Sequence, residues 1–312
     1  MIVHIEVLDL LAAAAGGFLG ATFGALVAFV FTGFAVLIGV AALIGSGDAA
    51  FLNSIAFGPF FGPHISFAAG VAAVAYAKRR GWIDSGRDIV TPLVSLAKPS
   101  VLLVGAVFGV FGYLVAQVIA IIPWFGSNTD AVALTVVISA IVARVLFGKT
   151  GIIGPHVDGA TGWKRFTPNA QHVWLAYQQR PLMAVLLGLF VGGLSAWASV
   201  TLLDAYPDAP GVIYLGFGVS AVSLLFLAFA VEVPATHHIT LVSAVAIPAF
   251  LGVSGGGIAV VLIGAVVGAI TALVGELFSR FWLIRGDTHI DPPASAIWPM
   301  TTVVLALGAV IS

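Results

Sequence analysis

The chain has 312 residues, 61% of them hydrophobic and only 8% Asp, Glu, Lys or Arg, with a formal net charge of −1. An average soluble domain is roughly 45–50% apolar and about 25% charged, so twelve basic and thirteen acidic side chains cannot clothe a soluble surface of this size. The balance of charge excludes a nucleic-acid partner, and the lack of cysteine excludes disulfides, thiolate metal sites and Cys nucleophiles. The composition is that of an integral membrane protein.

A bilayer core about 30 Å thick needs roughly 20 apolar residues per crossing helix. The apolar run from Leu8 to Gly45, interrupted only by Asp9, would make a helix of roughly 57 Å. That is too long for one crossing and predicts two connected helices, near 4–24 and 27–45. The stretch FGPFFGPHIS then leads into a short apolar segment at 64–78. Spans follow near 100–124, 130–148, 181–203 and 212–231. EVPATHHIT opens a second short segment at 237–253, and spans near 257–279 and 293–311 bring the count to ten. The start, MIVHIEVLDL, has no basic region, so no cleaved signal peptide is expected. The connection at 151–180 divides a first five-segment unit, 1–150, from a second, 181–312.

Threading the segments alternately puts all twelve Lys and Arg on one face. The positive-inside rule makes that face cytoplasmic in a multi-pass protein of the inner (plasma) membrane, with both termini extracytoplasmic. The halves also share landmarks in the same order. His64-Ile65-Ser66 matches His238-Ile239-Thr240, Gly105 and Gly109 match Gly264 and Gly268, and Thr129-Asp130 matches Ile290-Asp291. Five segments per half make equivalent helices run in opposite directions. The expected fold is therefore all-α and polytopic, built as two inverted five-segment repeats with one short, proline-preceded segment in each.

In such folds the short, Pro- or Gly-interrupted segments of the two halves point to the substrate site. A short helix after a proline leaves its first N–H groups free for a ligand, and a histidine there adds a proton-exchangeable group. His64 and Ser66 in the first half, with His237, His238 and Thr240 in the second, are the expected solute contacts. Glu232, at the end of an apolar span, is the expected coupling residue, because intramembrane acids mark ion and proton routes. Glycines at four-residue spacing, Gly105-Gly109-Gly112 and Gly264-Gly268, read as helix-crossing faces, which also permit a homo-oligomer.

The run GFGVSAVSLLF, the proline-containing re-entry and THIDPPASA resemble the HPP family of small integral membrane proteins, over roughly 216–300. That family carries a Gly-x-Ser-Ala-type helix and a later His-Pro-Pro motif. Here Ile290 and Asp291 stand between His289 and Pro292, and HPP proteins have fewer spans. The resemblance implies small-anion transport of the nitrite type, with His289, Pro292 and Pro293 at the matching positions.

The reading that follows is a transporter or channel for a small solute, a small anion or a proton-coupled one, between the paired short segments. It needs no cofactor, and its partners are the lipid bilayer and the solute. Two alternatives stand beside it. One is an intramembrane metal-dependent enzyme using His156, Asp158, His237, His238, His289 and Asp291. The other is a structural subunit of a membrane complex, which would have no internal cavity.

Overall fold

The structure, a computed structural model, describes residues 5–155, 159 and 162–311. Among these residues the chain forms eleven α-helices and no strand beyond a single bridge between Gly86 and Thr288. The first half holds α1 (Val7–Phe23), α2 (Ala25–Ser46), α3 (Ser66–Arg79), α4 (Pro99–Ala120) and α5 (Ala131–Phe147). The second holds α6 (Pro181–Ala205), α7 (Leu215–Ser223), α8 (Leu225–Ala228), α9 (His237–Phe250), α10 (Gly257–Phe278) and α11 (Pro292–Ile311). Each apolar segment of the sequence carries a helix. Six helical stretches are long and apolar enough to cross a membrane: Ala25–Ser46, Pro99–Ala120, Pro181–Ala205, Pro210–Ala228, Gly257–Leu283 and Pro292–Ile311. α1, α5 and α9 are apolar but shorter.

Local chemistry sets the boundaries. Gly24, at φ +86°, breaks the first long apolar run between α1 and α2 and turns the chain beneath the carbonyls of Val90 and Thr91. Prolines open α4, α6 and α11, where a missing N–H costs nothing. Aspartates cap α5 and α11: Asp130 accepts from the Ala133 N–H at 2.7 Å, and Asp291 from the Ala294 N–H at 2.7 Å.

The two short helices are the centre of the molecule. α3 and α9 have 14 residues each, with eleven buried in both. At 1.5 Å per residue each is roughly 21 Å long, too short to cross a bilayer core alone. They are apolar on every face because other helices surround them. α3 packs against α1, α2, α4 and α5, and α9 against α6, α7, α10 and α11. The halves meet where α2 lies on α7 and α5 on α11.

The basic connections interlock on one face. Arg87 donates to the carbonyls of Leu283 and Ile284, and Arg285 to that of Arg165. Asp287 accepts from the Lys149 N–H and the Thr150 hydroxyl, and Gln178 exchanges hydrogen bonds with the backbone of Ala235. Burial holds the Arg87 guanidinium below its ordinary pKa. Arg144, 1% exposed in the last turn of α5, reaches into this face. It donates to the Thr288 hydroxyl at 2.8 Å and the Ile152 carbonyl at 2.7 Å, and to the carbonyls of Trp282 and Thr288.

Candidate functional site

A cavity of about 350 Å³ lies between the halves, bounded by α2, α3 and α5 on one side and α7, α9 and α11 on the other. Ile89, Trp174 and Leu175, from the basic connections, close it at one end. Asn53, Phe57, Tyr214 and Asp130 bound the other. Its volume falls in the range of small-molecule sites, and its wall is mostly apolar with a few polar groups.

Two carboxylates mark the ends. α5 runs antiparallel to α11: the Thr302 hydroxyl donates to that of Thr129 at 2.8 Å, while Arg144 bonds Thr288. About ten residues of α11 therefore separate Asp291 from the turn beside Asp130, a rise of roughly 15 Å. Asp291 shares a hydrogen bond with His289, Nε2 to Oδ1 at 3.2 Å. Asp130 lies within electrostatic reach of Tyr214. No Lys or Arg is among the lining residues.

Aromatic rings join these two ends without a gap. From His289 the track passes to Phe67 (6.0 Å between centroids), Phe29 (5.7 Å) and Phe217 (5.8 Å), then to Phe57 (5.7 Å) and Tyr214 (5.0 Å). His237 packs against the middle of the track, its ring tilted 54° to that of Phe29 at 4.7 Å between centroids. Only 6% exposed, it lines the cavity with its Nδ1 unpartnered among the described residues.

Lining positions recur in pairs. Asp130 and Asp291, Val132 and Pro293, Ala133 and Ala294, and Val136 and Ile297 all lie 161 residues apart and all line the cavity. Pro63 with His237, and Phe67 with Leu241, do so at an offset of 174. Leu26 with Tyr214, and Phe29 with Phe217, do so at 188.

Of the residues expected to contact a solute, His237, His289 and Pro293 line the cavity. His64 and His238 are not among its lining residues. His237 and His238 are successive residues of α9 and point roughly 100° apart, so only His237 faces inward; in the turn before α3, Pro63 lines the cavity and His64 does not. His64 instead packs under the turn at Gly62, and the His238 ring against Gly275 of α10. The Ser66 hydroxyl donates to the Phe61 carbonyl at 3.1 Å. Thr240 joins a buried hydroxyl cluster, 3.2 Å from Ser220, which in turn lies 3.1 Å from Thr236. Both serve packing. Pro292 is buried in the first turn of α11 and is not a lining residue.

Glu232 stands exposed on the non-helical stretch between α8 and α9, outside the helical stretch Pro210–Ala228. There its charge, together with burial, raises the pKa of Tyr177, whose hydroxyl donates to the Val233 carbonyl at 2.7 Å. Among the described residues no three His, Asp or Glu converge as metal ligands. His156 and Asp158, named for a metal-dependent enzyme, lie outside the described residues.

Reading the sequence missed the cavity's most informative groups. Asp130 served only as a landmark between the halves, and Phe29, Phe57, Phe67 and Phe217 were indistinguishable from lipid-facing bulk. The one available signal was that Asp130 and Asp291 recur in register immediately before their helices.

A family model described as a family of unknown function (DUF7973) matches residues 1–172 and 155–312. No curated protein matches, and no solved structure matches.

Proposed function

We propose that this chain, which belongs to the family of unknown function DUF7973, moves a small solute across a membrane through the cavity between two inverted halves. The observation that carries the reading is the pairing of lining positions: residues from both halves, at one sequence offset for each pair of helices, line one cavity. Packing supports the repeat. α1 lies on α4 as α6 lies on α10, and α3 touches α1, α4 and α5 as α9 touches α6, α10 and α11. The most extensive helix contacts between the halves, α2 on α7 and α5 on α11, join equivalent helices to each other, as an axis between repeats requires. The two family matches also meet within the 151–180 connection.

Ten membrane segments follow, with α7 and α8 forming one of them. α3 and α9 would be the short central segments and the interlocked basic connections would face the cytoplasm. Solute access would alternate between the end closed by Ile89, Trp174 and Leu175 and the end at Asn53 and Tyr214. A cavity of this size also weighs against a purely structural subunit. The HPP-like stretch falls on the same wall through His289 and Pro293.

The absence of native cysteine allows a direct test. Ala133→Cys and Ala294→Cys place single thiols at opposite ends of the cavity. A membrane-impermeant maleimide applied to right-side-out and inside-out vesicles should modify Ala133→Cys from the extracytoplasmic side and Ala294→Cys from the cytoplasmic side. If neither thiol reacts from either side, while both react after unfolding, the cavity is not a solute route.

A further inference from the structure

The cavity's chemistry narrows its occupant. Its charged lining groups are two aspartates, and its polar ones include two histidines, with no Lys or Arg among them. The rings between the aspartates all line the cavity, and aromatic rings are the usual partners of ammonium groups. Their centroids lie 5.0–6.0 Å apart from His289 to Tyr214, so a cation leaving one ring is already within reach of the next. His237 adds an unpartnered ring nitrogen, Nδ1, at the centre of that track.

We propose that the solute is a small organic cation, a protonated amine or quaternary ammonium, handed between Asp130 and Asp291 along the aromatic track. This rests on the cavity being the transport route. Helix ends do not reverse the preference where they are already occupied. The positive ends of α5 and α11 are each capped by one of the aspartates, at 2.7 Å in both cases. The turn before α3 is satisfied internally, with the N–H groups of Ile65 and Ser66 bonded to the Gly62 carbonyl. α2, α7 and α9 also begin beside lining residues without a side-chain cap, and although the Leu26 N–H of α2 is taken by the Ile89 carbonyl, an anion would use such an end. The two carboxylates stand at repeat-related positions, one at each end of the cavity. A cation can therefore be held by one aspartate when the cavity opens to one side, and by the other when it opens to the opposite side.

The test reads protection of the Ala133→Cys thiol in membranes. Tetramethylammonium chloride should slow its modification in a saturable manner, whereas sodium nitrite, at matched ionic strength, should not. Asp130→Asn and Asp291→Asn, added separately, should abolish the protection. Asparagine caps a helix as well as aspartate does, so both variants keep the fold, which an unchanged elution volume in detergent checks. Phe29→Leu and Phe217→Leu should each weaken protection by about tenfold. Protection by nitrite and not by tetramethylammonium would overturn the cation class and leave the route intact. A thiol that reacts but is protected by neither salt would also overturn it. A thiol that never reacts would remove the route, and the inference with it.

Discussion

Arg144 is held by several hydrogen bonds at the basic face. Its three guanidinium nitrogens hold four acceptors on Ile152, Trp282 and Thr288, all beyond the end of α5. Positive-inside counting sees it as one more cationic residue. It ends in the interior because three of those acceptors, on Trp282 and Thr288, come from segments about 140 residues away in the chain, a closure that local pattern cannot express. Arg144→Met leaves carbonyls unpaired at about 1–3 kcal/mol each and should lower the unfolding temperature in detergent sharply. Arg144→Lys should recover only part of the loss, since one ammonium cannot reproduce the planar fork. Asp130 separates two roles at a single residue. Asp130→Ala should cost about 1 kcal/mol through the lost α5 cap, and Asp130→Asn almost nothing. Thermal unfolding of the two variants side by side checks this.

Helix positions were largely legible in the sequence, because a membrane-crossing helix needs a long apolar run and its ends carry Pro, Gly or Asp. Each expected apolar segment carries a helix in the structure, and Gly24 divides the first run where two helices were expected. Which face of a short helix looks inward was not legible. α3 and α9 are buried all round, so periodicity gave no phase, and the expected contacts took in both His237 and His238 and named His64 rather than Pro63. The glycine crossings were legible as spacing, and the structure supplies their partners. At Gly109 of α4 a Cβ would strike the Ala13 carbonyl of α1, whereas at Gly45 of α2 it would meet nothing within 4 Å. Gly109→Ala should therefore separate α1 from α4 and reduce folded yield. Gly45→Ala should be neutral or stabilising by up to about 1 kcal/mol, from helix propensity alone. Comparing the two by size-exclusion profile and melting temperature isolates the crossing from the backbone.

At the scale of the molecule, scarcity of charge carries the most information. The twelve basic residues lie on the connections or on the helix ends that adjoin them, as Lys78 and Arg79 do in α3 and Arg144 in α5, and hydrogen bonds of Arg87, Arg144 and Arg285 tie those connections together. The proposed orientation predicts that a thiol at Ser95→Cys, in the basic connection after α3, reacts only from the cytoplasm. One at Ser127→Cys, between α4 and α5, should react only from outside; labelling of both from the same side would break the alternating thread. The cavity itself lay beyond sequence reading, because it is made where two halves meet, from aromatic side chains that are each unremarkable in an apolar helix. Register was the one trace it left: Asp130 and Asp291, and the positions that follow them, recur at a fixed offset and meet across the same space.

The central claim is flux through that space. Radiolabelled tetramethylammonium should accumulate in proteoliposomes holding the wild-type chain when a potassium diffusion potential makes the interior negative. Accumulation should fall to the level of protein-free liposomes with the Asp130→Asn and Asp291→Asn double variant. Wild-type uptake no greater than in protein-free liposomes, for both tetramethylammonium and nitrite, would contradict the account.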